Sequence, residues 1–94
     1  MITFEFVQTV GHGYLEVPIE VFKEHEGKRS KFSPKSATHV YLEEDDDAHA
    51  FCDLLDAKGV AYTVRESAQT NDERNQAEQY IESLFFYTAL VGGA

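Results

Sequence analysis

The chain has 94 residues, 43% of them hydrophobic and twelve of them Phe or Tyr, which is the apolar content of one compact domain and leaves no room for a second. Seventeen acidic residues against eight Lys and Arg give a formal charge of −9, which argues against direct binding to nucleic-acid phosphates or an anionic membrane and favours a basic partner. No apolar run approaches the roughly 20 residues of a membrane-spanning helix. The N-terminus lacks the basic start of a secretory signal, and a single Cys52 excludes an internal disulfide or a thiolate zinc site. A soluble, cytoplasmic protein held by packing, with no cofactor, is expected.

Ile2, Phe4, Phe6, Gln8 and Val10 alternate with Thr3, Glu5, Val7 and Thr9, the period of two that predicts a strand with one buried face. In Gly11-His12-Gly13, two glycines around one residue permit the positive φ angles of a tight reversal into Tyr14-Leu15-Glu16-Val17, so a hairpin is expected. Pro18 can open a short helix in which Ile19 and Phe22 face the core, although Val17, Ile19 and Val21 would also alternate in a continued strand. Residues 26–38 carry Gly27, Ser30, Ser33, Pro34 and Ser36 among four bases, the composition of a mobile loop.

Alternation returns at Thr38 to Glu43, a third strand with Val40 and Leu42 on one side. Asp45 to Asp47 offer N-cap oxygens to a helix whose Ala48, Phe51, Cys52 and Leu55 share a face, and Lys58-Gly59 mark its end. Val60, Tyr62 and Val64 form a fourth strand, reached from the third by a parallel crossover, so the sheet is mixed. Thr70-Asn71-Asp72-Glu73 is a capping box before a last helix with Ala77, Tyr80, Ile81, Leu84 and Thr88 on one face, ended by Gly92-Gly93. The expected architecture is α+β: a four-stranded mixed sheet with helices packed on one face.

Charge is distributed unevenly. Residues 1–42 hold five acids and five bases, whereas residues 43–94 hold twelve acids and only Lys58, Arg65 and Arg74, which suggests one acidic face. Its centre is Glu43-Glu44-Asp45-Asp46-Asp47. Helix capping needs one or two of these five carboxylates, and a calcium loop needs glycine-containing spacing that the run lacks. The surplus points to recognition of Arg and Lys on a partner, or to imitation of the phosphates that partner binds, with Asp53, Asp56, Asp72, Glu73, Glu78 and Glu82 on the two helices as candidates to extend the surface.

His12, between two glycines at a hairpin tip, is a candidate ligand-binding residue, while His49-x-x-Cys52 supplies only two metal ligands. Lys28, Arg29, Lys31 and Lys35 surround Phe32, a pattern of nucleic-acid binders that the overall charge opposes; a solvated loop, free in water or folded back on the acidic face, is the better reading. Phe85-Phe86-Tyr87 cannot all point to one side of a helix, so a homodimer or partner interface is expected there. There is no Ser-His-Asp order, phosphate-binding glycine loop or nucleophile elbow to argue for an enzyme.

Gly11-His12-Gly13-Tyr14-Leu15-Glu16-Val17-Pro18, with Tyr41-Leu42-Glu43-Glu44-Asp45-Asp46-Asp47-Ala48 further on, resembles the GHGYLxVP and YLEEDxDA signature of small uncharacterised phage, plasmid and bacterial accessory domains. Asp46 stands where such domains often carry Cys, and the likeness covers the first half of the chain. It implies a mobile-element setting and no mechanism. The function expected is a non-enzymatic inhibitor of a host nucleic-acid-binding defence complex, anti-CRISPR-like, that occupies a basic surface; the alternative is a small-molecule or divalent-metal-binding module in which His12 and the acidic run meet.

Overall fold

The computed structural model describes residues 1–67 and 70–92. Its sheet is built from β1 (Ile2–Gln8), β2 (Gly13–Pro18), β3 (His39–Glu43) and β4 (Tyr62–Glu66) in the order β3-β2-β1-β4. β1–β2 and β2–β3 are antiparallel, whereas β4 joins β1 in parallel, so β3 and β4 run the same way with two strands between them. α1 (Ile19–Glu24), a π-type turn (Glu44–Ala48), α2 (His49–Ala57) and α3 (Asn71–Val91) complete the α+β fold. No helix among the described residues is long and apolar enough to cross a membrane.

Strand alternation divides the core in two. Phe4, Leu15, Val17, Val40 and Leu42 pack on one face against Phe22 of α1 and Ala48, Phe51 and Leu55 of the turn and α2. Val7, Tyr14 and Tyr41 point the other way and are covered by Ile81 and Leu84 of α3. Packing on one face therefore describes α1 and α2, and α3 takes the opposite face. A strand covered on one side needs only one apolar register, yet Val7 and Tyr41 are apolar in the second register as well, which is the mark of a sheet between two layers.

Pro18 precedes α1 at φ −54° and ψ 136°, an extended residue before a helix, and Phe22 buries as its spacing requires. The capping box of α3 is complete: Thr70 Oγ1 accepts from Glu73 N at 3.1 Å, and Glu73 Oε1 accepts from Thr70 N at 2.9 Å. Thr70→Ala is expected to cost about 1 kcal/mol, read as a lower urea midpoint at unchanged slope. Gly92, at φ 64°, ends the helix as expected, while Gly93 lies outside the described residues.

Three local expectations are corrected. The hairpin closes through Thr9 N to His12 O at 2.8 Å and His12 N to Thr9 Oγ1 at 3.0 Å, with neither Gly11 nor Gly13 at positive φ. Glu43, not Asp45 to Asp47, caps the acidic turn, its carboxylate accepting from Asp45 N and Asp46 N. The serine-rich loop read as mobile is instead fastened: Ser33 and Pro34 are fully buried, and Asp47 Oδ2 accepts from Ser30 N, Ser30 Oγ and Ser33 Oγ at 2.7, 2.8 and 2.5 Å.

Candidate functional site

β1 and β3 run in the same direction, so the hairpin tip and the acidic turn emerge at one end of the sheet. On the α3 face, that end carries a cleft of about 460 Å³. Thr9, His12 and Tyr14 line it from the hairpin, Glu43 from the end of β3, Asp45 and Asp46 from the turn, and Glu78, Ile81, Glu82 and Phe85 from α3. Phe32 enters from the loop because Asp47 anchors the two serines flanking it in sequence. His12 and the acidic run, far apart in sequence, thus share one concavity.

The cleft combines two chemistries. Its floor is apolar, since Tyr14 and Ile81 are buried and Phe85 is half-buried against the same cluster. Its rim carries five carboxylates, one from the end of β3, two from the turn and two from α3, the last placed one helical turn apart at Glu78 and Glu82. Burial, with the charges of Glu43 and Glu78 added, pushes the Tyr14 hydroxyl above its ordinary value, as expected of a site with negative potential. Among the described residues, no three His, Cys, Asp or Glu side chains converge closely enough to hold a metal ion. Such a rim suits a cation that brings apolar length of its own, as Arg and Lys do.

Beneath the rim, Tyr41 Oη donates to Glu16 Oε2 at 2.8 Å and lies 3.3 Å from Tyr80 Oη, its ring edge-on to the Tyr80 ring. Burial, followed by these hydrogen bonds, pushes the Tyr41 hydroxyl far up, so it stays protonated and donates. Thr88 Oγ1, held by Leu84 O at 2.7 Å, accepts from Lys35 N at 2.8 Å and ties the far end of α3 to the loop. The α3 wall is therefore held within the lining stretch, at Tyr80, and again beyond it, at Thr88.

The remaining acidic candidates do not join this surface. Asp47 turns inward to the serines. Glu44, Asp53 and Asp56 border a second, shallower groove on the α2 face, over Phe6, Tyr62 and Val64. The second-half acids thus occupy two faces rather than one, because the turn sits at the sheet edge and sends successive carboxylates to either side. Burial, then the charges of Asp56 and Asp53, pushes the Cys52 thiol up, which makes it a poor nucleophile. Of the three consecutive aromatics, Phe85 joins the cleft, Phe86 is 71% exposed and Tyr87 is partly exposed.

Sequence reasoning gave Phe32 no site role, in a solvated loop for which folding back on the acidic face was one option, and the structure brings it to the cleft. Nothing local in the sequence ties it to the carboxylates, since the link runs through Ser30, Ser33 and Asp47. No family model, curated protein or solved structure matches the chain.

Proposed function

We propose that the chain is a non-enzymatic interaction protein whose acidic cleft receives an Arg or Lys side chain from a basic protein surface, the kind that otherwise binds nucleic acid. The carrying observation is the cleft itself, with Glu43, Asp45, Asp46, Glu78 and Glu82 around an apolar floor and Phe32 and Phe85 at its walls. Carboxylates on rigid elements attract a guanidinium, and the rings take its flat face or its methylene stem. The formal charge of −9 would steer a basic surface in from a distance. Inhibition of a host nucleic-acid-binding defence complex is the setting that the phage and plasmid resemblance supports.

The test is retention of such a complex from nuclease-treated lysate by the tagged chain and by Asp45→Asn/Asp46→Asn/Glu82→Gln, at low and moderate salt. Retention is expected to fall with salt, and the triple variant to bind on the order of tenfold more weakly, equivalent to about 1.4 kcal/mol. Equal retention by the triple variant would remove the cleft from the mechanism.

The cleft volume of about 460 Å³ also favours a second reading, a small cationic ligand. Under that reading spermidine or free arginine raises the melting temperature of the wild type and not of the triple variant.

A further inference from the structure

The two edges of the sheet are finished differently. Along β3 the loop supplies cover, with Tyr41 N bonded to Pro34 O at 2.9 Å and Ser36 N to His39 O at 2.8 Å. β4 pairs with β1 on one side, and its residues Thr63 to Glu66 are exposed, Val64 by 48%. A parallel ladder uses alternate residues. Ile2 N bonds Ala61 O at 3.4 Å and Ser67 N bonds Phe6 O at 3.0 Å, so the odd-numbered residues face β1. Tyr62 and Val64 consequently turn their N–H and C=O groups outward. The strand contains no Pro and no Lys, devices that commonly blunt a sheet edge, and its Arg65 is engaged by Glu5 of β1 on the α3 face.

We propose that two copies of this chain join along β4, antiparallel about a two-fold axis through Val64, to form one continuous eight-stranded sheet. The register follows from which residues offer hydrogen bonds. Pairing centred on a residue, rather than between two, sets outward-facing residues opposite one another and keeps like faces together, and only the centre at Val64, the middle of the strand, engages Tyr62, Val64 and Glu66 all at once. Val64 then packs on its own symmetry mate, Tyr62 falls opposite Glu66, and Thr63 opposite Arg65. No two like charges are opposed, and the central pair is β-branched, the combination that stabilises antiparallel strands.

Most of the acidic charge does not oppose this contact. The acidic turn follows β3, at the far edge of the sheet. Seven strand spacings would separate the two β3 strands, about 34 Å at ~4.8 Å each, several times the Debye length of about 8 Å. Glu66 on the strand itself and Asp53 and Asp56, beside the groove over Tyr62 and Val64, are the carboxylates close to the axis. Their mutual repulsion makes this dimer tighter as salt rises, opposite in sign to the partner binding proposed above, so the two ideas succeed or fail separately. Each cleft stays open at an outer end.

The experiment is light scattering or sedimentation of the purified full chain from micromolar to several hundred micromolar, across a sodium chloride series. A concentration-dependent dimer, strengthened by salt, is expected. Val64→Pro removes an outward N–H without breaking a bond to β1, and Val64→Lys sets two ammonium groups face to face on the axis while leaving the exposed strand otherwise unchanged. Each is expected to weaken the dimer at least tenfold, while Phe86→Ser/Leu90→Ser, on the exposed part of α3, leaves it unchanged. A wild type that stays monomeric throughout, or a dimer that survives both Val64 variants, overturns the proposal.

Discussion

Replacing Asp47 by Ala is expected to lower the unfolding free energy by about 2–3 kcal/mol, a large loss for a residue outside the hydrophobic core. One carboxylate oxygen accepts three hydrogen bonds, from Ser30 N, Ser30 Oγ and Ser33 Oγ. Ser33 is fully buried, so water cannot readily replace the lost partner, and its own Oγ accepts Glu43 N at 2.8 Å beside the acidic turn. The variant therefore loosens the loop and the turn together, and with them two walls of the cleft.

The same residue gives stability a defined dependence on pH. Burial pushes the Asp47 carboxyl up, but the hydrogen bonds from Ser33 and Ser30 and the nearby Arg29 outweigh it and hold the group below its ordinary value. A depressed pKa means the unfolded chain takes up the proton first. The contribution is complete above the ordinary Asp value of about 3.9 and is lost as pH falls through the lower folded value. Urea unfolding of wild type and Asp47→Asn across this acid range isolates it: the stability gap is expected to be constant at neutral pH and to close only in strong acid.

Most of the fold could be read in the sequence wherever one periodicity dominated a segment. Alternation in Ile2–Gln8 and His39–Glu43, the spacing of Phe51 and Leu55, and the Thr70–Glu73 box each depend on neighbours a few residues away, and each formed as expected. The position of α3 was not legible in that way. Its apolar residues define a face but not the layer that face meets, and the deciding residues, Val7, Tyr14 and Tyr41, lie on three different strands.

The candidate site divides along the same line. His12, Glu43, Asp45, Asp46 and Phe85 stood out by type and local pattern, and the parallel course of β1 and β3 with α3 across them brings them together. The separation of Asp47 from its neighbours was invisible in a run of five acids, because its role depends on two serines 17 and 14 residues away. Glu44, Asp53 and Asp56 diverge for a geometric reason. A turn leaving a sheet edge presents both faces within a few residues, so contiguity in sequence does not become contiguity on the surface.

The two glycines of the hairpin tip should respond in opposite ways to substitution, although they look equivalent in the sequence. A methyl group at Gly13 would lie 2.8 Å from Phe6 Cε2 and 2.9 Å from Glu44 Oε2, inside contact distance on the α2 face, whereas one at Gly11 meets nothing within 4 Å. Neither residue has a positive φ, so backbone conformation forbids a side chain at neither. Gly13→Val is accordingly expected to destabilise by about 1–3 kcal/mol through overpacking, since the Phe6 ring must leave its place beside β2. Gly11→Ala restricts the unfolded chain at an unstrained, open position and is expected to be neutral or stabilising by about 0.4–1 kcal/mol. Thermal melts of the two variants check this directly. A costly Gly11→Ala with a tolerated Gly13→Val would mean that the tip is held by glycine backbone freedom after all, and that the Thr9–His12 bonds do not define it.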